Sequence, residues 1–271
     1  MASGSELRGA GRYDAILKHI FAKYYKFGTK GFNFTRDDII EAAKELGIAV
    51  PKNLGDVVYS YRYRKAWPKE IAATAPADKE WVIRPIGDAL YRCELASPMR
   101  VAPCTALAES KLPDATPGIV ALYAKGDEQA LLARLRYNRM LDIFTGMACY
   151  SLQNHLRTKV PGMGQGEIDE LYVGIDRRGA HFVFPVQAKG GKDQINLVQA
   201  EQDIQICGRM FPGLTCKPIA AQFMQNSLIA MFEFELAANR QVALVREKHY
   251  RLVPPDELTP EELARYAERS D

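Results

Sequence analysis

The chain has 271 residues, of which 47% are hydrophobic and 25% charged, a composition that is ordinary for a soluble globular protein with a sizeable core. Its formal net charge of +3 is too small to establish a polyanionic partner. Five cysteines without a C-x-x-C pair favour free thiols in a reducing cytoplasm. The sequence contains neither a secretory signal nor an apolar stretch long enough to span a membrane, so we expect a cytoplasmic protein with no membrane partner.

Residues 12 to about 95 predict three helices followed by a hairpin. The first helix has an apolar stripe at helical spacing, and Thr35 and Asn53 are good N-caps for the second and third. Two short strands, 81–84 and 89–92, then meet through a Gly-Asp turn. This order of elements resembles a winged helix-turn-helix domain.

Basic and aromatic residues are concentrated on and just beyond the predicted third helix. Between Lys52 and Lys69, five basic residues stand against one acidic residue, Asp56. A recognition helix in a major groove needs cations for phosphates and guanine edges, with polar aromatic residues beside them. The candidate DNA-binding residues here are Tyr59, Tyr61, Arg62, Tyr63, Arg64 and Lys65. The alternatives are a solvated basic helix end that complements its own dipole, and a protein–protein module.

A stretch with four prolines and little periodicity follows this first unit and predicts an extended linker. We therefore expect a winged-helix domain over 1–96, a linker over 97–126 and a second domain over 127–271. The second domain is expected to open with a long helix that Asp127 caps and that continues or restarts as far as Leu156.

The most informative stretch of the second domain is a predicted β-hairpin whose turn fixes its register. The segment Asp176–Ala180 suits a three-residue loop, with Gly179 in the left-handed conformation that closes it. Pairing the two ends of this loop sets the partner of every residue further along the strands. Both faces of the hairpin are then rich in apolar residues, as is typical of strands in the middle of a protein.

Four polar residues stand out against this apolar background. The predicted register places Asp169 opposite Gln187 and Glu167 opposite Lys189, with Cβ atoms roughly 4.5–5.5 Å apart. Because successive side chains alternate between faces, all four emerge on one face at the open end of the hairpin. Two carboxylates, an amide and an ammonium group in this place predict a functional site. The simpler alternative is a cross-strand Glu167–Lys189 ion pair that contributes little.

Capping and periodicity predict the remaining elements. Asp193 can cap a helix behind the hairpin, and strands are expected at 218–224, 228–236 and 242–252. Thr259 begins a last surface helix, with proline at the first helical position and a capping-box glutamate in register.

The order helix, hairpin, helix, strand, with an acidic residue late in the first strand and Q-x-K in the second, resembles the core of the PD-(D/E)XK nuclease superfamily. The resemblance covers roughly residues 127 to 236. It implies an α/β (α+β) fold in which a restriction-endonuclease-like mixed β-sheet is flanked by helices. It also implies that Asp169, Gln187 and Lys189 surround the scissile phosphate. The preceding winged helix resembles the DNA-reading domain of some restriction endonucleases.

These residue types suit the hydrolysis of a phosphodiester bond. Asp169 is a hard oxygen ligand for Mg²⁺, the implied cofactor, which would hold the phosphate and lower the pKa of a bound water. Lys189 would stabilise the developing negative charge. Gln187 departs from the commoner glutamate, and its neutral amide removes one negative charge from the metal site. Glu167 is the expected compensating metal ligand, ahead of Glu170, which points to the other face.

The predicted long helix carries polar residues that packing on a sheet does not require. Arg139 and Asn154 are therefore candidates for lining a DNA-facing cleft. Solvated faces and helix capping are the alternative explanation.

The resemblance implies a Mg²⁺-dependent, sequence-specific endonuclease of double-stranded DNA, most closely a type II restriction enzyme. Cutting both strands commonly needs two such sites, which favours a homodimer by analogy. One alternative is a repair or junction-cleaving nuclease with the same core. Another is a non-catalytic DNA-binding regulator on a nuclease scaffold, which Gln187 favours. No nucleotide-binding loop or serine-hydrolase motif stands in a usable context.

Overall fold

The computed structural model describes residues 9–98, 100–123, 128–160, 164–190, 195–237 and 242–268. The chain divides into two compact units, one built from residues 1–99 and 159–165 and the other from 100–158 and 166–271. Each unit has a hydrophobic core of its own.

The first unit consists of short helices and a three-stranded antiparallel sheet. Its elements in chain order are α1 (Gly9–Tyr24), β1 (Gly31–Thr35), α2 (Arg36–Glu45), α3 (Leu54–Tyr59), α4 (Lys69–Ala72), β2 (Glu80–Gly87) and β3 (Leu90–Ala96). A π-helical turn over Ser60–Arg64 continues α3. The strands lie in the order β1-β3-β2.

Local signals account for most of this unit. Thr35 caps α2 through a complete capping box, and the side chain of Asn53 caps α3, as predicted. The apolar stripe of α1 is buried in the core, where Phe21 packs edge-on against Trp81. Strand β1 was not predicted. It forms by pairing with β3, sixty residues later in the chain, and it buries Phe34.

The second unit is built around a large mixed sheet. Its elements in chain order are β4 (Arg100–Val101), β5 (Glu109–Pro113), α5 (Gly118–Tyr123), α6 (Glu128–Tyr137), α7 (Met140–Thr145), β6 (Ala148–Val160), β7 (Gly164–Ile175), β8 (His181–Lys189), β9 (Ile195–Asn196), α8 (Leu197–Met210), β10 (Thr215–Cys216), β11 (Ile219–Phe223), β12 (Leu228–Leu236), β13 (Val242–Val253) and α9 (Pro260–Ala267). The described strands form an eight-stranded sheet in the order β5-β13-β12-β11-β8-β7-β6, with β10 beside β8.

The central strands of this sheet are buried on both faces. Helices α6 and α7 cover one face, where Leu135 and Phe144 join Tyr172 and Phe184 in one core. Helix α8 lies against the other face of β8, where its Asp203 accepts a hydrogen bond from the side chain of Gln187. The unit is therefore a mixed sheet flanked by helices, in agreement with the predicted α/β (α+β) class.

The long helix predicted to reach Leu156 is a wrong prediction. The chain forms two short helices here, α6 and α7, and then continues as strand β6. Arg139 has φ +50° and Gly146 has φ +70°, and left-handed residues of this kind interrupt a helix. Asn154 therefore lies on a strand beside β7, not on a helix.

The stretch expected as a linker, 97–126, contains regular structure. It includes β4, β5 and α5, and β5 pairs in parallel with β13 at one edge of the large sheet. An ion pair between Glu109 and Arg251 (2.6 Å) joins these two strands. The observed boundary between the compact units falls at 99/100, close to the predicted end of the first domain.

The later elements follow the prediction closely. The three strands expected after α8 are β11, β12 and β13, and α9 begins with the expected Thr259 capping box. Helix α8 is capped by Asn196, while Asp193 lies outside the described residues. All five cysteines are free thiols. None of the described helices is both long and apolar enough to cross a membrane.

Candidate functional site

The β7–β8 hairpin is closed by the predicted loop. The N–H of Asp176 donates to the carbonyl oxygen of Ala180 (3.1 Å), and Gly179 has φ +82°. The carboxylate of Asp176 also accepts the N–H groups of Arg178 (2.8 Å) and Ala180 (2.9 Å). The bond from Ala180 is the main reason that the pKa of Asp176 is lowered. Turn and register are therefore set locally.

The ladder between the strands has the predicted register and ends at the pair Glu170–Val186. One step further, the same register places Asp169 opposite Gln187. There the side chain of Asp169 takes the place of a ladder bond, because its Oδ2 accepts the N–H of Ala188 at 2.9 Å. The open end of the hairpin is thus bridged by the carboxylate expected at the centre of the site.

Asp169 is costly to ionise where it stands. Its burial raises its pKa, and the N–H of Ala188 and the charge of Lys189 lower it only in part. The side chain is half-buried. A positive charge that binds beside a half-buried carboxylate with a raised pKa stabilises its ionised form.

The amide of Gln187 is held at both ends. Its Nε2 donates to Oδ2 of Asp203 (3.0 Å) and to the main-chain oxygen of Glu167 (3.3 Å), while its Oε1 accepts from Nε2 of Gln199 (2.6 Å). A main-chain oxygen can only accept a hydrogen bond, so the Nε2 end must face it. The side chain is also buried, which leaves one orientation for the amide.

Asp203 was not identified from the sequence. It lies one helical turn after Gln199 on α8, so both side chains reach the same strand. Only 1% of Asp203 is exposed. Burial raises its pKa to about 8; the Gln187 amide acts against this rise and the charge of Asp169 adds to it. The signal in the sequence was a pair of polar residues at i and i+4 on the helix that follows Q-x-K.

The cross-strand ion pair between Glu167 and Lys189 does not form. Nζ of Lys189 lies 3.8 Å from Oε1 of Glu128, the first residue of α6. Glu167 binds Arg157 (3.1 Å), and its Oε1 is 3.9 Å from Nδ1 of His155. A simple salt bridge at a sheet end therefore does not explain why these residues converge, and Glu128 is a further acidic neighbour that the sequence did not reveal.

Glu170 belongs to a different cluster. Its side chain is fully buried on the opposite face, where it accepts from Arg136 (3.0 Å) and from the hydroxyl of Ser151 (2.6 Å). Asn154, a predicted DNA-contacting residue, accepts from the same Arg136 at 3.2 Å. The exposed side chain of Arg139 pairs with Asp142. Within the described part of the chain, neither Arg139 nor Asn154 forms a hydrogen bond or an ion pair with Asp169.

Two of the predicted DNA-binding residues in the first unit are buried. Tyr61 is part of the core and its hydroxyl donates to Asp14, and Arg62 is buried as well. Nζ of Lys65 lies 3.9 Å from the Asp14 carboxylate and 5.8 Å from the ring centre of Tyr61. Two of the candidates on the π-helical turn after α3, Tyr61 and Arg62, are therefore shielded from solvent, while Lys65 is partly exposed.

Of the other three candidates of that region, the structure describes the side chain of only one, Tyr59. Tyr59, the last residue of α3, is half-buried. The side chains of Tyr63 and Arg64 lie outside the described part of the structure. The contact of this surface with DNA stays a prediction.

The end of the hairpin offers oxygen atoms of the chemical type that Mg²⁺ binds. Within the described residues, no group of three or more His, Cys, Asp or Glu side chains is placed to hold a metal ion. Mg²⁺ keeps several waters and needs only one or two protein carboxylates. The carboxylate of Asp169 and the amide oxygen of Gln187 are hard oxygen donors of this kind, while Glu167 is engaged by Arg157.

Comparison of the chain with protein-family models, curated proteins and solved structures found no match.

Proposed function

We propose that this protein is a Mg²⁺-dependent endonuclease of double-stranded DNA with a PD-(D/E)XK-like site. The observation that carries the proposal is the convergence of Asp169, Gln187 and Lys189 at the open end of a buried hairpin. The charge of Lys189 acts on an Asp169 whose pKa is raised. No ion pair between Glu167 and Lys189 accounts for this convergence.

Each residue has a role in hydrolysis under this proposal. Asp169 and Oε1 of Gln187 would hold the ion, which supplies positive charge to the phosphate when it is bound. The ammonium of Lys189 stabilises the charge that develops on the phosphate oxygens. A water oxygen loses a proton to solvent and forms a bond to phosphorus, the bond from phosphorus to the leaving sugar oxygen breaks, and that oxygen takes up a proton from solvent.

We further propose that the first unit is a winged helix that reads DNA, as in a type II restriction enzyme. The helices α1, α2 and α3, with strand β1 between the first two, and the later hairpin β2–β3, which completes a sheet in the order β1-β3-β2, support this assignment. Because Tyr61 and Arg62 are buried, recognition would use Tyr59, Lys65 and exposed residues around them. Cleavage of both strands favours a homodimer. We propose that it acts in the cytoplasm.

A non-catalytic DNA-binding regulator is the second candidate function. The observation that favours it is the neutral amide of Gln187, which makes three hydrogen bonds inside the protein and adds no charge to a metal site. Such a protein would bind DNA and leave it intact in every divalent metal.

The test is digestion of unmethylated phage DNA by the purified full chain, in Mg²⁺ and in EDTA. Lys189→Ala is the active-site variant, and Lys44→Ala, which removes an exposed lysine of α2, is the matched control. We expect discrete fragments in Mg²⁺, a rate at least about a hundredfold lower for Lys189→Ala, and no change for Lys44→Ala.

Other results would redirect the proposal. Intact DNA in all metals and methylation states, together with retained DNA binding, would support the regulator. Cleavage confined to branched or damaged substrates would indicate a repair or junction nuclease. Cleavage that persists in Lys189→Ala would mean that the hairpin is not the site.

A further inference from the structure

An amide differs from a carboxylate because its two ends are not equivalent. A glutamate presents an oxygen whichever way its carboxylate turns, whereas a glutamine presents an oxygen in one orientation and an NH2 group in the other. A metal site that uses Gln187 therefore needs a partner that fixes the amide, and a site that uses glutamate does not.

We infer that Asp203 is a positioning residue, which fixes the amide of Gln187 so that its oxygen remains the accepting end. This inference rests on the proposed function, because it assigns Asp203 to the same site. The contact that carries it is the 3.0 Å hydrogen bond from Nε2 of Gln187 to Oδ2 of Asp203, between two buried side chains.

The surroundings allow only the observed orientation. Reversal would turn Oε1 of Gln187 toward the Asp203 carboxylate and the main-chain oxygen of Glu167, which accepts from Nε2 at 3.3 Å. It would also turn the NH2 group toward the NH2 group of Gln199 that now donates to Oε1 at 2.6 Å. Buried polar groups without partners are costly, and reversal would leave the main-chain oxygen of Glu167 and the NH2 group of Gln199 without their present partners.

The same contact explains why a neutral residue stands at position 187. A glutamate there would place two carboxylates about 3 Å apart in a buried place, where both cannot be charged together. The acidic group that residue 187 lacks is present on α8 at residue 203. Gln187 and Asp203 therefore form a matched pair.

The inference is tested by measuring Mn²⁺ binding to the metal-free full chain, using the electron paramagnetic resonance signal of free Mn²⁺. Asp203→Leu removes the acceptor and keeps the branched shape of the side chain, and Asp203→Asn keeps an acceptor oxygen. We expect Mn²⁺ affinity to fall about tenfold or more in Asp203→Leu and only a few-fold in Asp203→Asn. DNA cleavage in Mg²⁺ should fall in the same order.

A reciprocal exchange guards against a variant that fails to fold. Gln187→Glu alone should weaken Mn²⁺ binding because it opposes Asp203. Adding Asp203→Asn should restore affinity to within a few-fold of wild type, since the asparagine NH2 donates to the new carboxylate. Two residues that merely pack together would not restore each other. Circular dichroism of each variant confirms folding.

The outcomes separate this inference from the nuclease proposal. Wild-type Mn²⁺ affinity in Asp203→Leu, equal losses in Asp203→Leu and Asp203→Asn, or no recovery in the double variant would each overturn the role of Asp203. Wild-type protein that binds no Mn²⁺ would overturn it too. If DNA is cut and Lys189→Ala is inactive while Asp203→Leu binds and cuts normally, the nuclease proposal stands alone. If the expected Mn²⁺ pattern appears without DNA cleavage, the positioning role stands and the nuclease proposal fails.

Discussion

Asp38 on α2 and Asp203 on α8 are both buried aspartates, yet their pKa values are shifted in opposite directions. Burial alone would raise the pKa of Asp38. Hydrogen bonds from the Tyr24 hydroxyl (2.6 Å), the Thr35 N–H (2.7 Å) and the Lys23 ammonium (3.0 Å) outweigh burial and lower the pKa to about 2. Asp38 is a charged structural group of the first unit.

Asp203 has far fewer donors. Among the described residues, its one hydrogen-bond donor is the amide of Gln187, so burial prevails and raises its pKa to about 8. The supply of hydrogen-bond donors therefore decides the charge of these two buried carboxylates. A carboxylate that folding leaves short of donors is typical of functional sites, where a ligand or ion completes its surroundings.

The largest expected effect separates activity from stability. Asp169→Asn should reduce DNA cleavage at least about a hundredfold, because a neutral amide cannot supply the charge that the proposed ion requires. Its oxygen still accepts the N–H of Ala188, so the fold should be retained. Asp176→Asn in the turn of the same hairpin is the matched control and should cut normally. Wild-type cleavage by Asp169→Asn would contradict the assignment.

The opposite pattern is expected at Asp38. Asp38→Asn should destabilise the first unit by about 2 kcal/mol, because hydrogen bonds from several donors to a charged group are lost or weakened. Both tryptophans of the chain, Trp67 and Trp81, lie in that unit, so tryptophan fluorescence during urea unfolding reports on it alone. Asp37→Asn, at an exposed neighbour, should cost only a few tenths of a kcal/mol. Equal midpoints for both variants would show that the donors around Asp38 contribute nothing.

The two aspartates should also give opposite pH dependence in the metal-free protein. The folded pKa of Asp38 is depressed, so its contribution is present above about pH 4 and is lost as the pH falls toward 2. The folded pKa of Asp203 is raised, so its contribution is present below about pH 4 and is lost as the pH rises through 8. Urea unfolding in EDTA, followed by tryptophan fluorescence and by circular dichroism, measures both trends. Asp203→Asn should abolish the loss of stability between about pH 4 and pH 8. An unchanged dependence of the free energy of unfolding on pH would show that Asp203 is charged in the folded protein.

The hairpin could be predicted because its determinants are local. Gly179 provides the left-handed position, alternation assigns the faces, and one correct pair at the turn fixes the pair Glu170–Val186 six steps away. The positions of Asp169 and Gln187 follow from that register alone. The helix caps at Thr35 and Thr259 are likewise set by a few neighbouring residues.

The missed features depend on contacts between distant segments. Strand β6 forms beside β7 after Arg139 and Gly146 interrupt the helix, and the polar spacing of 148–156 does not reveal this pairing. Asp203 lies sixteen residues after Gln187, and its role appears only when α8 packs on β8. Periodicity identifies which face of a helix is polar, but it does not identify the strand residue that this face meets.

The smallest effect concerns a motif that both units share. Thr35 and Thr259 each begin a helix with a capping box, but Thr35 shares the buried Asp38 with Lys23 and Tyr24, whereas Thr259 is exposed and shares Glu262 with Lys111. Thr259→Ala should therefore cost less than about 1 kcal/mol and act locally on α9. Amide hydrogen exchange measured by mass spectrometry should become faster in peptides covering α9 and remain unchanged in those covering β8. A uniform increase across the second unit would mean that this cap supports the whole sheet. The difference in burial would then not predict which capping box contributes more to stability.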